Sequence, residues 1–175
     1  MDLPKVADIV IIGAGISGLS VALPLAKAGL SVAVLDKGAP WSDASGANAG
    51  TLSIQVKRAE VLSLIHESIE RWKRMPEDYG VEVGFGQPGG IRVATTESEC
   101  LQLEESVGIQ KGNGMDVQML DREEVQRLSP WLGPAVKAGS ICPDDGYSNP
   151  LLVGNSMVTV ARQLGVVIAS DNCVT

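Results

Sequence analysis

The sequence contains few aromatic side chains and no excess of basic ones. Only 3% of its 175 residues are aromatic, so a hydrophobic core has to be built mainly from Val, Leu, Ile and Ala. The net charge of −7 argues against nucleic acid as a partner, because phosphate backbones are bound by clustered Lys and Arg. With 45% hydrophobic residues, the chain can still bury a sizeable core.

Paired cysteines and clusters of metal ligands are also lacking. Cys100, Cys142 and Cys173 are widely separated, and none belongs to a C-x-x-C motif. This pattern indicates reduced thiols in a cytoplasmic compartment rather than disulfides or a zinc site. We expect Cys173 to be a buried structural thiol. Asp144 and Asp145 are expected to be a solvated acidic pair in a turn, so no metal site is predicted.

Long apolar runs are absent as well. No segment approaches the roughly 18 apolar residues that a membrane-spanning helix requires. Residues 1–7 lack a basic n-region, and Gly13, Gly15 and Gly18 interrupt the apolar stretch that follows, which is not typical of a signal peptide. The expectation is a soluble protein with no integral membrane segment.

The N-terminal segment predicts a strand, a helix and a second strand. Residues 8–12 form a continuous apolar run, which is typical of a central parallel strand covered on both faces. Residues 16–28 are typical of a buried helix that ends at Gly29, and residues 30–35 form a second apolar strand. Together they make a βαβ unit.

Four more helices and an antiparallel region are predicted downstream. Residues 59–75 carry apolar side chains at helical spacing. Three further helix starts are indicated by the pairs Thr96 with Glu99, Asp121 with Glu124, and Asn149 with Pro150. Alternating apolar residues predict a β-hairpin over 81–93, a strand is expected over 136–141, and a buried strand is expected over 166–169.

The turn after the first strand has the G-x-G-x-x-G pattern of a dinucleotide-binding loop. Its residues, which we call the fingerprint, are Gly13, Ala14, Gly15, Ile16, Ser17 and Gly18. Gly13 permits the tight turn, Gly15 lets a pyrophosphate approach the backbone, and Gly18 lets the helix pack closely on the strand. The phosphates would accept hydrogen bonds from free N–H groups at the helix N-terminus.

An acid follows at the distance that this kind of site requires. Asp36 ends the second strand about 20 residues beyond the glycines, where its carboxylate can accept hydrogen bonds from the adenosine ribose. The same charge would repel a 2′-phosphate, which disfavours NADP. The antiparallel region after the βαβ unit favours a flavoprotein over a regular NAD-binding half.

Three functions remain open at this point. The chain could be an FAD-dependent oxidoreductase, a plain NAD-binding dehydrogenase domain, or a non-catalytic truncated unit that needs a complementing chain.

His66 is the only histidine, and as a lone helical histidine it is expected to have no chemical role. Trp41, Trp72 and Trp131 are expected to be packing or interface residues.

A loop of small residues, Ser45-Gly46-Ala47-Asn48-Ala49-Gly50-Thr51, extends the pattern. With the fingerprint and Asp36, it resembles the amine-oxidising flavoproteins typified by D-amino-acid oxidase, glycine oxidase and monomeric sarcosine oxidase. In these, an S-x-x-N-A-G-like loop follows the ribose-binding acid, which is more often Glu than Asp. The resemblance implies that FAD is also contacted by Lys37, Ser45, Asn48, Ala49, Gly50, Thr51 and Val174.

The resemblance also implies a reaction. A hydride would pass from the α-carbon of a small amine or amino-acid substrate to flavin N5, with the protein supplying position and electrostatics. Family members are about twice as long as this chain, and the Arg that clamps a substrate carboxylate lies in their second half. No catalytic residue is therefore assigned, and this chain alone is expected to be inactive.

The expected fold class is α/β: a Rossmann-like FAD-binding βαβ unit with an antiparallel α+β insert, truncated relative to the family. Residues 1–79 would form the FAD-binding unit and the following helix, residues 80–141 the start of a substrate domain, and residues 142–175 the return helix and strand. A small parallel sheet would expose an edge, which folds normally cover or extend. Association with a second copy or a complementing chain is therefore expected.

Overall fold

The computed structural model describes residues 3–175, apart from the side chain of Ala59. Within that range the chain forms eight strands and five α-helices. The strands are β1 (Ile9–Ile12), β2 (Val32–Leu35), β3 (Thr51–Leu52), β4 (Gly90–Ala94), β5 (Gln118–Asp121), β6 (Ala138–Cys142), β7 (Gly146–Tyr147) and β8 (Val167–Ala169). The helices are α1 (Ile16–Lys27), α2 (Leu62–Tyr79), α3 (Glu97–Gly112), α4 (Arg122–Leu128) and α5 (Pro150–Gln163).

The described residues divide into two compact units. Unit 1 comprises residues 3–50, Lys73–Phe85 and Ser148–Thr175, and unit 2 comprises Thr51–Trp72 and Gly86–Tyr147. Residues 51–72 therefore group with the insert rather than with the N-terminal βαβ unit. The functional division into an FAD-binding and a substrate domain stays a prediction.

Unit 1 is built on a three-stranded parallel sheet in the order β1-β2-β8. α1 continues through Pro24 to Lys27, and Gly29 follows it with φ +88°. α5 packs against α1, and its buried face includes Val153, Met157 and Val160. The predicted βαβ unit, the Asn149 cap of α5 and the C-terminal strand are all present.

The environment of β1 differs from the expectation. β1 lies at an edge of the described sheet, and β2, whose Val32, Ala33 and Val34 are buried, lies in the middle. Val10 is 58% exposed and Ile12 is 69% exposed, so one face of β1 is uncovered. The prediction of a central strand covered on both faces is wrong for the described chain, because the continuous apolar run identified a parallel strand but not its place in the sheet.

Unit 2 contains a three-stranded antiparallel sheet in the order β4-β6-β5. A small apolar cluster of Leu120, Val125 and Val136 packs between the sheet and α4. Both predicted capping boxes form: Thr96 and Glu99 cap α3, and Asp121 and Glu124 cap α4. α3 has 16 residues.

The predicted hairpin over residues 81–93 is wrong. β4 pairs with the distant β6, while the carbonyl of Val83 accepts a hydrogen bond from the Asn149 N–H in unit 1. Alternation shows that a segment can be half-buried in a sheet, but it does not identify the partner strand. No sequence pattern had indicated β5, which has only four residues.

The amphipathic helix is longer than predicted. A 3₁₀ turn at Ala59–Val61 leads into α2, which continues past Pro76 to Tyr79. His66 is exposed on α2. Across residues 3–175, no helix combines the length and the apolar character needed to cross a bilayer.

Candidate dinucleotide-binding site

The fingerprint turn has the backbone geometry that its glycines were expected to permit. Gly13 has φ +100°, a region that side chains disfavour, and its N–H donates to the carbonyl of Leu35 at 2.7 Å. A Cβ on Gly18 would overlap the carbonyl oxygen of Gly13 and lie 3.3 Å from Cγ2 of Ile11. The opening turn of α1 therefore needs glycine in order to approach β1 this closely.

The N-terminus of α1 presents unpaired amides. Within the described part of the chain, the N–H groups of Gly15, Ser17 and Gly18 have no protein acceptor. Amides at this end of a helix, together with the helix dipole, favour a bound anion. We refer to the backbone amides of residues 15–18 as the cradle, and their binding of a diphosphate stays a prediction.

One amide of the cradle already has a partner. The N–H of Ile16 donates to Oγ of Ser45 at 3.0 Å, and a Cβ on Gly15 would lie 2.7 Å from the same oxygen. A hydroxyl that accepts one hydrogen bond can still donate its own proton. Ser45 therefore covers part of the cradle, but it adds a donor at the place where a phosphate oxygen would bind.

Asp36 faces the fingerprint. Its Oδ2 accepts from the N–H of Ala14 at 2.6 Å and its Oδ1 accepts from the N–H of Gly38 at 2.9 Å. A carboxylate can accept about four hydrogen bonds, so each oxygen keeps capacity for a ribose hydroxyl. The neighbouring Lys37 instead pairs with Asp43 at 3.1 Å, and this hydrogen bond raises the pKa of the Lys37 ammonium.

The loop after β2 is held mainly by its own side chains. Nδ2 of Asn48 donates to the carbonyl of Ser45 at 2.6 Å, and its Oδ1 accepts from the N–H of Gly50 at 2.7 Å. Gly50 is buried with φ +73°, and a Cβ there would overlap the carbonyl of Ser148. In the described structure Asn48 and Gly50 shape the loop, while the side chain of Ala49 is exposed.

The remaining predicted contacts lie outside this cluster. Thr51 belongs to unit 2, where it is exposed and pairs with Tyr147. Val174 is exposed, two residues beyond Asn172, whose N–H donates to the carbonyl of Asp36 at 2.8 Å. Within unit 1 the structure therefore brings together the fingerprint, Asp36 and Ser45, and their contacts with FAD stay predictions.

Two residues have surroundings that differ from those expected. Cys173 is exposed rather than buried, because it follows β8 in an irregular C-terminal segment. Asp145 is only 4% exposed, so it is not one of a solvated pair. Nothing in the sequence distinguishes it from Asp144, because its partners come from a distant loop.

Those partners form a buried polar network within unit 2. Asp145 accepts hydrogen bonds from the hydroxyl of Ser53 at 2.9 Å, the N–H of Ile54 at 2.5 Å, and the N–H and side-chain amide of Gln55 at 3.2 and 2.8 Å. Ser140 and Gln110 extend the network to the Gln55 side chain and carbonyl. A buried carboxylate with this many donors is fully satisfied and fixes the segment after β3.

Among the described residues, no three His, Cys, Asp or Glu side chains converge as possible metal ligands.

The parallel βαβ unit, the unpaired amides at the start of α1 and the acid beside them define a dinucleotide-binding protein.

Comparison with known proteins specifies the class. The chain belongs to the FAD dependent oxidoreductase (DAO) family, whose model matches residues 8–175. It is 32% identical over 164 residues to the mitochondrial dimethylglycine dehydrogenase of Rattus norvegicus, covering 93% of this chain and 19% of that protein. It is 30% identical over 176 residues to an opine oxidase subunit of Rhizobium meliloti, covering 94% of this chain and 47% of that protein.

A solved structure gives the same result. The structure of glycine oxidase from Geobacillus kaustophilus superposes with a TM-score of 0.87 at 27% identity, covering 94% of this chain and 46% of that one. The chain therefore spans less than half the length of these relatives. The α/β fold class, with a Rossmann-like unit that is partial relative to the family, is confirmed.

Proposed function

We propose that this chain binds FAD, with the diphosphate on the unpaired amides of Gly15, Ser17 and Gly18. These three N–H groups carry the proposal, because the described protein offers them no other acceptor. Ser45 would donate its hydroxyl proton to a phosphate oxygen, and Asp36 would accept from the ribose. Lys37, Asn48, Ala49, Gly50, Thr51 and Val174 are the further contacts proposed from the family resemblance.

The whole protein would oxidise a small amine or amino acid. Bound FAD supplies the redox chemistry by accepting a hydride at N5. This chain contributes the groups that hold and orient the cofactor, and none of its residues is assigned a catalytic role. The family and the relatives named above support this substrate class.

Cofactor binding tests the proposal directly. The purified chain, mixed with FAD and freed of excess, should show flavin bands near about 370 and about 450 nm. Gly15→Ala places a methyl group against Ser45 and should weaken FAD binding roughly tenfold or more, since the pyrophosphate needs close backbone approach. Gly108→Ala is the matched control, because a Cβ there meets nothing within 4 Å.

The outcomes are distinct. No flavin bands and no detectable FAD affinity in the unaltered chain would exclude the proposal. Binding of NADH in preference to FAD, measured by nicotinamide fluorescence, would favour the dehydrogenase alternative instead. For the reaction, anaerobic bleaching of the flavin band by glycine, sarcosine or dimethylglycine in a preparation containing the whole protein would identify the substrate class.

A second candidate is a subunit that needs a complementing polypeptide. The uncovered face of β1, with Val10 and Ile12 exposed, favours it because sheet faces and edges of this kind are normally covered. The name of the opine oxidase relative describes it as a subunit, which supports the same arrangement here. In a homo-oligomer, a second copy of the chain would cover the same surface. Light scattering of the purified chain distinguishes these from a stable monomer.

A cytoplasmic location is proposed from cysteine usage. The three cysteines are all free in the structure, which is typical of a reducing compartment. Fractionation of cells that express the tagged protein would test the location.

A further inference from the structure

Trp41 contacts three segments of unit 1: the fingerprint, the loop after β2, and α5. Its backbone N–H donates to the carbonyl of Ala14, in the fingerprint, at 3.1 Å. Its carbonyl lies so close to Gly46, in the loop after β2, that a Cβ there would overlap it. Its indole ring lies against Gly154 of α5, where a Cβ would be 2.5 Å from Cγ and 2.7 Å from Nε1.

The conformation of Trp41 is unfavourable by itself. Its φ is +66°, a left-handed value that bulky side chains rarely adopt. Its indole Nε1 is buried without a hydrogen-bond partner among the described residues, although a buried indole N–H normally has one. Other contacts of Trp41 have to offset both costs, and two of its three contacts are with the fingerprint and its neighbouring loop.

We propose that Trp41 is a positioning residue for the cofactor cradle. Its rigid ring, fixed against Gly154, holds the Ala14 turn and the Gly46 loop in register. The free amides of α1 and the Ser45 hydroxyl are then aligned before a ligand arrives, which reduces the ordering cost of binding. This inference rests on the proposed binding of FAD.

The glycines at 46 and 154 give the idea a specific steric basis. Neither position has a positive φ, so neither glycine is required by its own backbone. Each is required because a methyl group would overlap an atom of Trp41. Gly154 also lies inside α5, where alanine is intrinsically more favourable than glycine.

A double-mutant cycle tests the inference. Trp41→Gly removes the ring at a φ that glycine adopts freely, and Gly154→Ala displaces the ring while improving helix propensity. Each change alone should weaken FAD binding roughly tenfold by loss of preorganisation. The double variant should bind no more weakly than Trp41→Gly, because the added methyl group then occupies empty space.

Further variants and readouts separate positioning from general stability. Dissociation constants are measured by quenching of flavin fluorescence, and melting temperatures are measured without FAD. Trp41→Phe keeps a ring and removes the unpaired N–H, so it should bind FAD within about twofold of the unaltered chain. If Trp41→Gly does not fold, Gly154→Ala and Trp41→Phe still decide the question.

Any of three results would overturn this inference without affecting the proposed function. Gly154→Ala could bind FAD with unchanged affinity, or the losses of FAD affinity in the two single variants could add in the double variant. The third result is that Trp41→Phe binds FAD as weakly as Gly154→Ala does. Lack of FAD binding by the unaltered chain would overturn the proposed function together with it.

Discussion

Cys142 and Cys173 are expected to differ in reactivity, because Cys142 is buried and Cys173 is exposed. Cys142 is 1% exposed in β6, and burial, the main cause, raises the pKa of its thiol to about 11. Cys173 is exposed in the C-terminal segment. Only a thiolate attacks a thiol reagent. Cys142 is therefore protected from such reagents by the low ionised fraction of its thiol and by its inaccessibility.

We therefore expect selective labelling at pH 8. Cys173 should react with a water-soluble thiol reagent at least roughly tenfold faster than Cys142, because the thiolate fraction of Cys142 is then on the order of one in a thousand. Peptide mass spectrometry over a time course measures both rates, and Cys173→Ser is the control for assignment. Equal rates in the folded chain would contradict the burial of Cys142.

Chemistry of individual residues was well predicted where the partner lies close in sequence. The capping pairs Thr96 with Glu99 and Asp121 with Glu124 form as expected, because their geometry is local. The partners of Asp145 come from residues 53–55, far away in sequence, and its burial was missed. Trp41 was expected to be a packing or interface residue, and its contact with Ala14 and its positive φ depend on a loop that no pattern describes.

At the scale of elements, α5 depends on a local signal at its start. Oδ1 of Asn149 accepts hydrogen bonds from the N–H groups of Leu151 and Leu152 at 3.0 and 3.3 Å, and Pro150 occupies the first helical position. These contacts satisfy amides that would otherwise have no partner. The cap therefore fixes where the return helix begins.

Loss of this cap should destabilise the chain measurably. Asn149→Ala is expected to lower the free energy of unfolding by about 1 kcal/mol, the usual cost of removing an N-cap. Asn155→Ala is the matched control, because Asn155 is exposed inside the same helix and alanine is the better helix former there. Urea denaturation gives both values. A control that loses as much stability as Asn149→Ala would show that the cap is not responsible.

Strands were harder to place than helices for a physical reason. The starts of α3, α4 and α5 carry their own side-chain caps, whereas a strand needs a partner that local sequence does not name. Residues 90–94 were expected to pair with the segment just before them, but β4 pairs with β6 instead. The apolar run of β1 likewise predicted a parallel strand without showing that it lies at an edge of the described sheet.

At the scale of the described chain, the uncovered face of β1 is the feature with the largest consequence. Val10 and Ile12 expose apolar surface beside an open sheet edge. Water contact with such a surface is unfavourable, at roughly 25 cal/mol for each Å² of apolar area. A partner that covers it would therefore be favoured, and self-association is the form that a purified chain can show.

The expected outcome is concentration-dependent association that Val10 controls. Val10→Ser should shift the chain towards monomer, whereas Val21→Ser, at a half-exposed position on α1, should leave association unchanged. Sedimentation velocity at several concentrations measures the effect. A chain that is already monomeric at high concentration, or that responds equally to both changes, would show that this face does not associate.

Local sequence was sufficient to specify the βαβ unit, the glycine fingerprint, Asp36 and the helix caps, because each depends on contacts within a short stretch or on a backbone conformation that only glycine adopts freely. The folded chain was needed to establish the partner of β4, the edge position of β1, the burial of Asp145, the exposure of Cys173, and the placement of Ser45 and Trp41 against the fingerprint. Those features depend on which residues far apart in sequence come into contact. The local sequence does not show which residues these are.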